Sequence, residues 1–262
     1  MIACQHSVMI KIDAIPIFSD NYIWLIRFGD HRVVIVDPGD ATPVLQTLER
    51  QGLTPEAILI THNCWDHVSG IGDILHHFQI PVYGPASENV THMTHPCKEG
   101  DRISFGELAL NVLDVPGHTA GHIAFVGNDM LFCGDTLFGA GCGRLHNGTA
   151  AQLHDSLQKI SRLPITTNIY CAHEYTLANL KFAHTVEPGN PEIMQRKVTE
   201  EKKRQQGLPT LPSTLALELE TNPFLRCHAE EVIASAENFA GKTLSGTALV
   251  FKVLRYWKDT FS

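Results

Sequence analysis

The stretch Ala57-Ile58-Leu59-Ile60-Thr61-His62-Asn63-Cys64-Trp65-Asp66-His67 decides how this chain is read. Four apolar residues, two of them β-branched, have the character of a buried strand. Immediately behind them, residues 62–67 hold two histidines, a cysteine and an aspartate. Imidazole nitrogen, carboxylate oxygen and thiolate sulfur are the usual donors for zinc or a similar divalent ion. Packing alone does not account for so many donor types directly behind an apolar run.

Working outward, the arrangement recurs. Residues 33–36 run into Asp37-Pro38-Gly39, residues 81–83 into Gly84-Pro85, and residues 108–115 into Pro116-Gly117-His118. Residues 130–133 run into Gly134-Asp135, and residues 168–172 into His173-Glu174. Short apolar runs closed by glycine and proline predict strands of a layered sheet. His118, Asp135 and His173 each follow such a run, as the 62–67 cluster does. Donors on loops at one sheet edge can converge on a rigid scaffold. A lone histidine at a strand end is more often a packing residue. His76, His77, His92, His95 and His228 have no spaced partners and are read that way. An aspartate between two cations about 3.5–4 Å apart could bridge them, with a shared hydroxide as nucleophile.

Helical patterns cover residues 43–51, 71–78 and 150–163. A mixed, layered α/β domain follows, with helices covering sheet. Behind Glu174 the strand-like runs stop, and residues 177–184, 191–206, 229–239 and 246–258 look helical. The expected division is a mixed α/β domain over 1–174 and a smaller helical domain over 175–262. Gly139-Ala140-Gly141-Cys142-Gly143 lacks both the spacing and the βαβ setting of a nucleotide loop.

The 262 residues carry 20 basic and 28 acidic side chains, a formal charge of −8, without a dense basic stripe. That argues against nucleic acid as a partner, but not against a small anion met by a few converging cations. Seven scattered cysteines, with no C-x-x-C, argue against a secreted disulfide framework. No signal peptide and no membrane span are expected, so the chain is expected in the cytoplasm; a monomer is expected separately.

The cluster at residues 61–67 resembles the T-H-x-H-x-D-H motif of the metallo-β-lactamase superfamily. Other segments resemble the glyoxalase II family within it. They include Ser19-Asp20-Asn21-Tyr22, Pro116-Gly117-His118-Thr119 with Gly121-His122, and Gly134-Asp135-Thr136-Leu137-Phe138. Gly141-Cys142-Gly143-Arg144, His173-Glu174-Tyr175-Thr176, Asn222-Pro223-Phe224-Leu225-Arg226 and Arg255-x-x-Lys258-Asp259 complete the match, which spans nearly the whole chain. The resemblance implies an αβ/βα sandwich with a C-terminal helical domain. It also implies two divalent metal ions, zinc foremost with iron or manganese as alternatives, and hydrolysis of S-D-lactoylglutathione to D-lactate and glutathione. It makes His62 and His118 ligands of one metal, Asp66, His67 and His173 ligands of the other, and Asp135 the bridge. Asp66 and Asp135 become the catalytic carboxylates, and Arg144, Tyr175, Arg255 and Lys258 the positions that hold glutathione.

The chain departs from the family at Cys64, where the motif has a histidine, and at His146, where a tyrosine is usual; Asn63 and Ser69 are milder changes. Cysteine is shorter than histidine, so a weakened first metal site is the foremost expectation. A thiolate ligand ranks second and a nucleophilic cysteine last. Two rival functions follow: a mononuclear-iron persulfide dioxygenase, and a homologue that binds glutathione conjugates or metal with little turnover.

Overall fold

A computed structural model describes residues 10–261. The first sheet is built from β1 (Lys11–Ile17), β2 (Asn21–Phe28), β3 (Arg32–Val36), β4 (Thr54–Leu59), β5 (Val82–Pro85) and β6 (His95–Cys97), in that spatial order. β1, β2 and β3 pair antiparallel, and β3 to β6 run parallel. Helix α1 (Ala41–Gln51) joins β3 to β4, and α2 (Trp65–Val68) and α3 (Ile71–His77) join β4 to β5.

Both faces of this sheet are covered. On β2, Tyr22, Trp24, Ile26 and Phe28 belong to a cluster with Leu110, Val112 and Phe125 of the second sheet. Ile23 and Leu25, the alternate residues, cluster with Val44 and Leu48 of α1 and Ile71 and Ile74 of α3. A strand buried on both faces carries an unbroken apolar run, which is how β2, β3 and β4 read. Truncating Leu25, which is fully buried, to alanine should cost about 2–5 kcal/mol.

The second sheet uses β7 (Arg102–Phe105), β8 (Leu108–Asp114), β9 (Ile123–Gly127) and β10 (Met130–Gly134). A small hairpin of β11 (Leu137–Phe138) and β12 (Gly141–Cys142) follows, then α4 (Ala150–Ile160) and β13 (Asn168–Cys171). Thr149 and Gln152 form a capping box that starts α4, a device worth about 1 kcal/mol. The glycine-rich stretch at 139–143 is therefore the turn and second strand of a hairpin, with Ala140 at φ 53°.

Behind Glu174 come α5 (Thr176–Val186), α6 (Pro191–Gln205), β14 (Ser213–Thr214), α7 (Leu215–Thr221), α8 (Glu230–Ala240) and α9 (Thr247–Thr260). β14 corrects the expectation that strands end at residue 174. It is a two-residue pairing with β13, which extends the second sheet to the order β14-β13-β10-β9-β8-β7. A pairing that short leaves no periodic trace. Phe182, Phe224, Phe251 and Leu254 from the helical region share the core cluster of the second sheet. The layers are thus helix, sheet, sheet, helix.

Candidate metal centre

β3 and β4 run parallel and end side by side, so the turn behind β3 lies against the loop behind β4. Asp37 opens that turn in the left-handed region at φ 51°. Its buried carboxylate accepts Thr61 N at 2.8 Å and Thr61 Oγ1 at 2.7 Å. A Cβ on Gly39 would overlap the carbonyl oxygen of Asp66, so only glycine lets the turn press so closely on α2. At the end of β10, Gly134 takes φ 47°, and a Cβ there would strike Thr61 and His122. These two glycines let the loops carrying Asp66 and Asp135 close on one point.

Four histidines face that point with the same atom. His62 Nδ1 lies 3.0 Å from Thr61 Oγ1, whose own proton goes to Asp37. His67 Nδ1 lies 3.1 Å from Asp37 Oδ2, His118 Nδ1 lies 2.7 Å from Arg144 O, and His173 Nδ1 lies 2.8 Å from Asp20 Oδ1. Nδ1 of each ring is thus turned toward an oxygen of the surrounding protein, which leaves Nε2 facing inward. Ligating histidines are oriented in this way in metal sites.

The inward atoms fall into groups whose donor atoms all lie within 4.8 Å of one another: His62, Cys64 and His118; Asp66, His67 and His173; and His62, His67 and Asp135. Asp135 lies between the first two. Its Oδ2 is 3.6 Å from His118 Nε2, while its Oδ1 is 3.5 Å from His67 Nε2 and 3.3 Å from His173 Nε2. Asp66 Oδ2 is held at 2.8 Å by Asn21 Nδ2. His62 Nε2, His67 Nε2 and Asp135 Oδ1 are buried without an aligned hydrogen-bond partner. Such orphans cost about 1–3 kcal/mol each in a protein interior, and a convergent set of imidazoles and carboxylates is the donor chemistry of divalent cations. The residues therefore fit two metal ions.

The electrostatics agree. Burial opposes a charged His67, yet Asp135, Asp37 and Asp66 outweigh it and push its pKa up to about 9. Asp135 would be raised by burial but is held well below the carboxylate range by His67 and His173. His62 is driven well down by burial and by its neighbours His67 and His122. Carboxylates thus demand positive charge at this point, and a proton on His67 meets part of the demand. Burial, with Asp135 and Asp66 beside it, pushes the Cys64 thiol up to about 12. Cys64 Sγ nevertheless reaches the cluster, 3.6 Å from His118 Nε2.

A cleft of about 700 Å³ opens from the cluster, a size suited to a small molecule. Tyr175 stacks on His173 at 4.7 Å and 7°, and His146 stacks near His118 at 6.2 Å. Arg144, Arg255 and Lys258 line the same cleft. They differ in freedom. Arg144 is mostly exposed and lies 3.9 Å from Asp259. Lys258 is half-buried, and burial with Arg255 and Arg144 nearby lowers its pKa. Arg255 is buried; its Nη1 donates to Cys142 O and Gly143 O, and its Nη2 to Asp259. Its Nε, also buried, has no hydrogen-bond partner.

Sequence reasoning passed over several positioning residues: Asp37, Asp20 as partner of His173, and Glu88. Glu88 accepts Asn63 N at 2.7 Å, Gly121 N at 3.1 Å and Thr119 Oγ1, tying the His62 loop to the His118 loop. His122, buried and lowered to about 3 by burial and by His118, accepts Asp135 N at 3.2 Å. An acidic residue in a turn, as in Asp37-Pro38-Gly39, is the one local hint.

Two packed sheets between helices, with a two-metal ligand cluster at their edge, define the metallo-β-lactamase superfamily. Residues 17–96 and 98–173 match the family model for the metallo-beta-lactamase superfamily. Two solved structures share the architecture. The BLEG-1 B3 metallo-beta-lactamase has a TM-score of 0.63 and 25% identity, covering 82% of this chain and 99% of that one. ETHE1 from Myxococcus xanthus has a TM-score of 0.64 and 25% identity, covering 96% and 100%. Residues 174–261 match the model for the hydroxyacylglutathione hydrolase C-terminus. The hydroxyacylglutathione hydrolase of Nitrosomonas europaea is 52% identical, over 97% of both chains, and that of Aeromonas salmonicida is 52% identical over 97% of this chain and 100% of its own. This chain belongs to the hydroxyacylglutathione hydrolase, or glyoxalase II, family. It is a metal-dependent hydrolase, and neither the dioxygenase nor the inactive-homologue alternative is favoured. Among the described residues no helix is long and apolar enough to cross a membrane.

Proposed function

We propose that the chain hydrolyses the thioester of S-D-lactoylglutathione to D-lactate and glutathione, in methylglyoxal detoxification. The observation that carries this is the make-up of the cleft: the metal-ligand cluster and the cations Arg144, Arg255 and Lys258 line one and the same cavity. Glutathione has two carboxylates, and cations in a partly dry cleft bind these well. A thioester bound by that tail would present its carbonyl to the cluster.

His62 and His118 would hold one ion, Asp66, His67 and His173 the other, with Asp135 between them. When bound, the pair would supply a water deprotonated near neutral pH and a Lewis acid for the carbonyl oxygen, with zinc the choice that best suits the donors. The protein's own groups do the rest. Asn21 fixes the Asp66 carboxylate at 2.8 Å, giving a stationary acceptor that orients the attacking water. Asp37 and Asp20 hold His67 and His173 in register. Tyr175, stacked on His173, lines the cleft that also holds the cations. The glutathione thiolate is a good leaving group, so no strong acid is needed to expel it. The protein acts as a monomer within the cytoplasm on this account.

The test compares S-D-lactoylglutathione with a lactoyl thioester of a small neutral thiol, following thiol release. Loss of the two carboxylates should lower kcat/KM by about 100-fold, as expected for two charge-assisted contacts. Equal kcat/KM for the two thioesters would remove the glutathione assignment.

A further inference from the structure

Cys64 stands where the family motif has a histidine, and length alone suggests that its sulfur falls short. The geometry says otherwise. Cys64 is the N-cap residue of α2 with extended backbone, φ −63° and ψ 143°. Its Sγ lies 3.6 Å from His118 Nε2, and both lie within 4.8 Å of a donor nitrogen of His62. A tetrahedral ion about 2.3 Å from a thiolate and about 2.0–2.1 Å from an imidazole nitrogen holds those two donors about 3.6 Å apart. A plain S–H to nitrogen hydrogen bond would account for His118 but not for His62. That ring is fully buried, and its Nε2 has no hydrogen-bond partner. One ion held by all three side chains, with Asp135 Oδ2 3.6 Å from His118 Nε2 as a fourth donor, accounts for every atom.

We infer that Cys64 is a thiolate ligand of the first metal, making that site His62–Cys64–His118–Asp135, a mixed nitrogen, sulfur and oxygen site in place of the family's histidine-rich one. The inference rests on the two-metal reading above and deepens it. Two consequences follow from donor chemistry. A thiolate adds one negative charge relative to imidazole, so the first site favours soft ions such as zinc, cobalt and cadmium over manganese. The second site, with Asp66, His67 and His173, keeps only nitrogen and oxygen donors, so the two sites differ in selectivity.

The experiment uses the full chain, stripped with a chelator and titrated with cobalt(II) alone. A thiolate ligand gives a near-ultraviolet sulfur-to-cobalt charge-transfer band, and tetrahedral coordination gives visible ligand-field bands. Both should grow with the same equivalent of cobalt. Cys64→Ser should lose the charge-transfer band and weaken binding of that equivalent by about tenfold or more. Cys64→His should lose the band but keep the ligand-field bands and the affinity, which separates loss of the ligand from loss of the fold. The other described cysteines are buried and outside the ligand groups, and Cys4 lies outside the described residues, so the comparison is made in a Cys4→Ser background, where a band that persists in Cys64→Ser overturns the assignment. So does wild-type protein that binds cobalt tetrahedrally with no such band. Hydrolysis of S-D-lactoylglutathione is scored separately on the zinc-loaded protein. A band without hydrolysis keeps the ligand and removes the reaction, while hydrolysis without the band does the reverse.

Discussion

Asp37 Oδ2 lies 3.1 Å from Nδ1 of His67 and 2.7 Å from Oγ1 of Thr61, so one buried carboxylate orients two neighbouring parts of the ligand loop. Through Thr61, which bonds His62 Nδ1 at 3.0 Å, the same group also sets the His62 ring. It therefore touches the ligand sets of both metals without facing either.

Asp37→Asn should lower metal affinity by about 10–100-fold, the usual effect of losing a partner behind a ligating histidine. Calorimetric zinc titration of the stripped protein checks this. Unchanged affinity at both sites would show that the His67 ring is held by packing alone.

Gly39→Ala tests the close approach of the turn to α2. A Cβ would overlap the Asp66 carbonyl, so the α2 backbone has to move. The expected cost is about 1–3 kcal/mol, read as a lower urea midpoint, together with weaker binding at the Asp66 site. A variant as stable as wild type would place the turn further from α2.

Much of this was legible in the sequence, for reasons that differ by element. β3, β4, β10 and β13 end in turn residues, so the strand ends that carry His62, Asp135 and His173 could be located from apolar runs alone. β1 and β2 were not among the strands read from the sequence; Ser19-Asp20-Asn21-Tyr22 was matched there only as a family motif, although residues 22–26 form an apolar run like those of β3 and β4. α2 spans only Trp65–Val68, one turn, too short for helical periodicity. Asp37 and Asp20 stayed hidden because their partners lie 24 and 153 residues away. The reach of Cys64 stayed hidden too: side-chain length is in the sequence, but the position of the His118 ring, set by Arg144 O, is not.

Lys258 should control KM more than kcat. Its pKa is lowered by burial and by Arg255 and Arg144, so it loses its proton below the ordinary lysine range. The bound carboxylate needs the charged form. KM should therefore rise with pH on the alkaline side, beginning earlier than for an exposed lysine. Lys258→Ala should raise KM about tenfold and flatten that rise. A KM equal to wild type across the alkaline range would take Lys258 out of substrate binding.

Glu218 anchors the helical region to the hairpin beneath the cleft. Its Oε1 accepts Arg196 Nη2 at 2.6 Å, and its Oε2 accepts Ala140 N at 2.8 Å and Asn222 Nδ2 at 3.1 Å. Glu218→Ala strands a buried guanidinium and should cost about 3–5 kcal/mol. Chemical denaturation measures it; a loss below about 1 kcal/mol would mean that Arg196 finds another partner.

The most direct test of the two-metal hydrolase joins metal content to turnover in Asp135→Ala. Elemental analysis and S-D-lactoylglutathione hydrolysis are run on the same samples of wild type and variant. The expected result is two metal ions per wild-type chain with hydrolysis, and loss of both metal and turnover in the variant, because Asp135 faces the ligands of both ions. Turnover at the wild-type rate in Asp135→Ala, or in wild-type protein stripped of metal, would contradict the account.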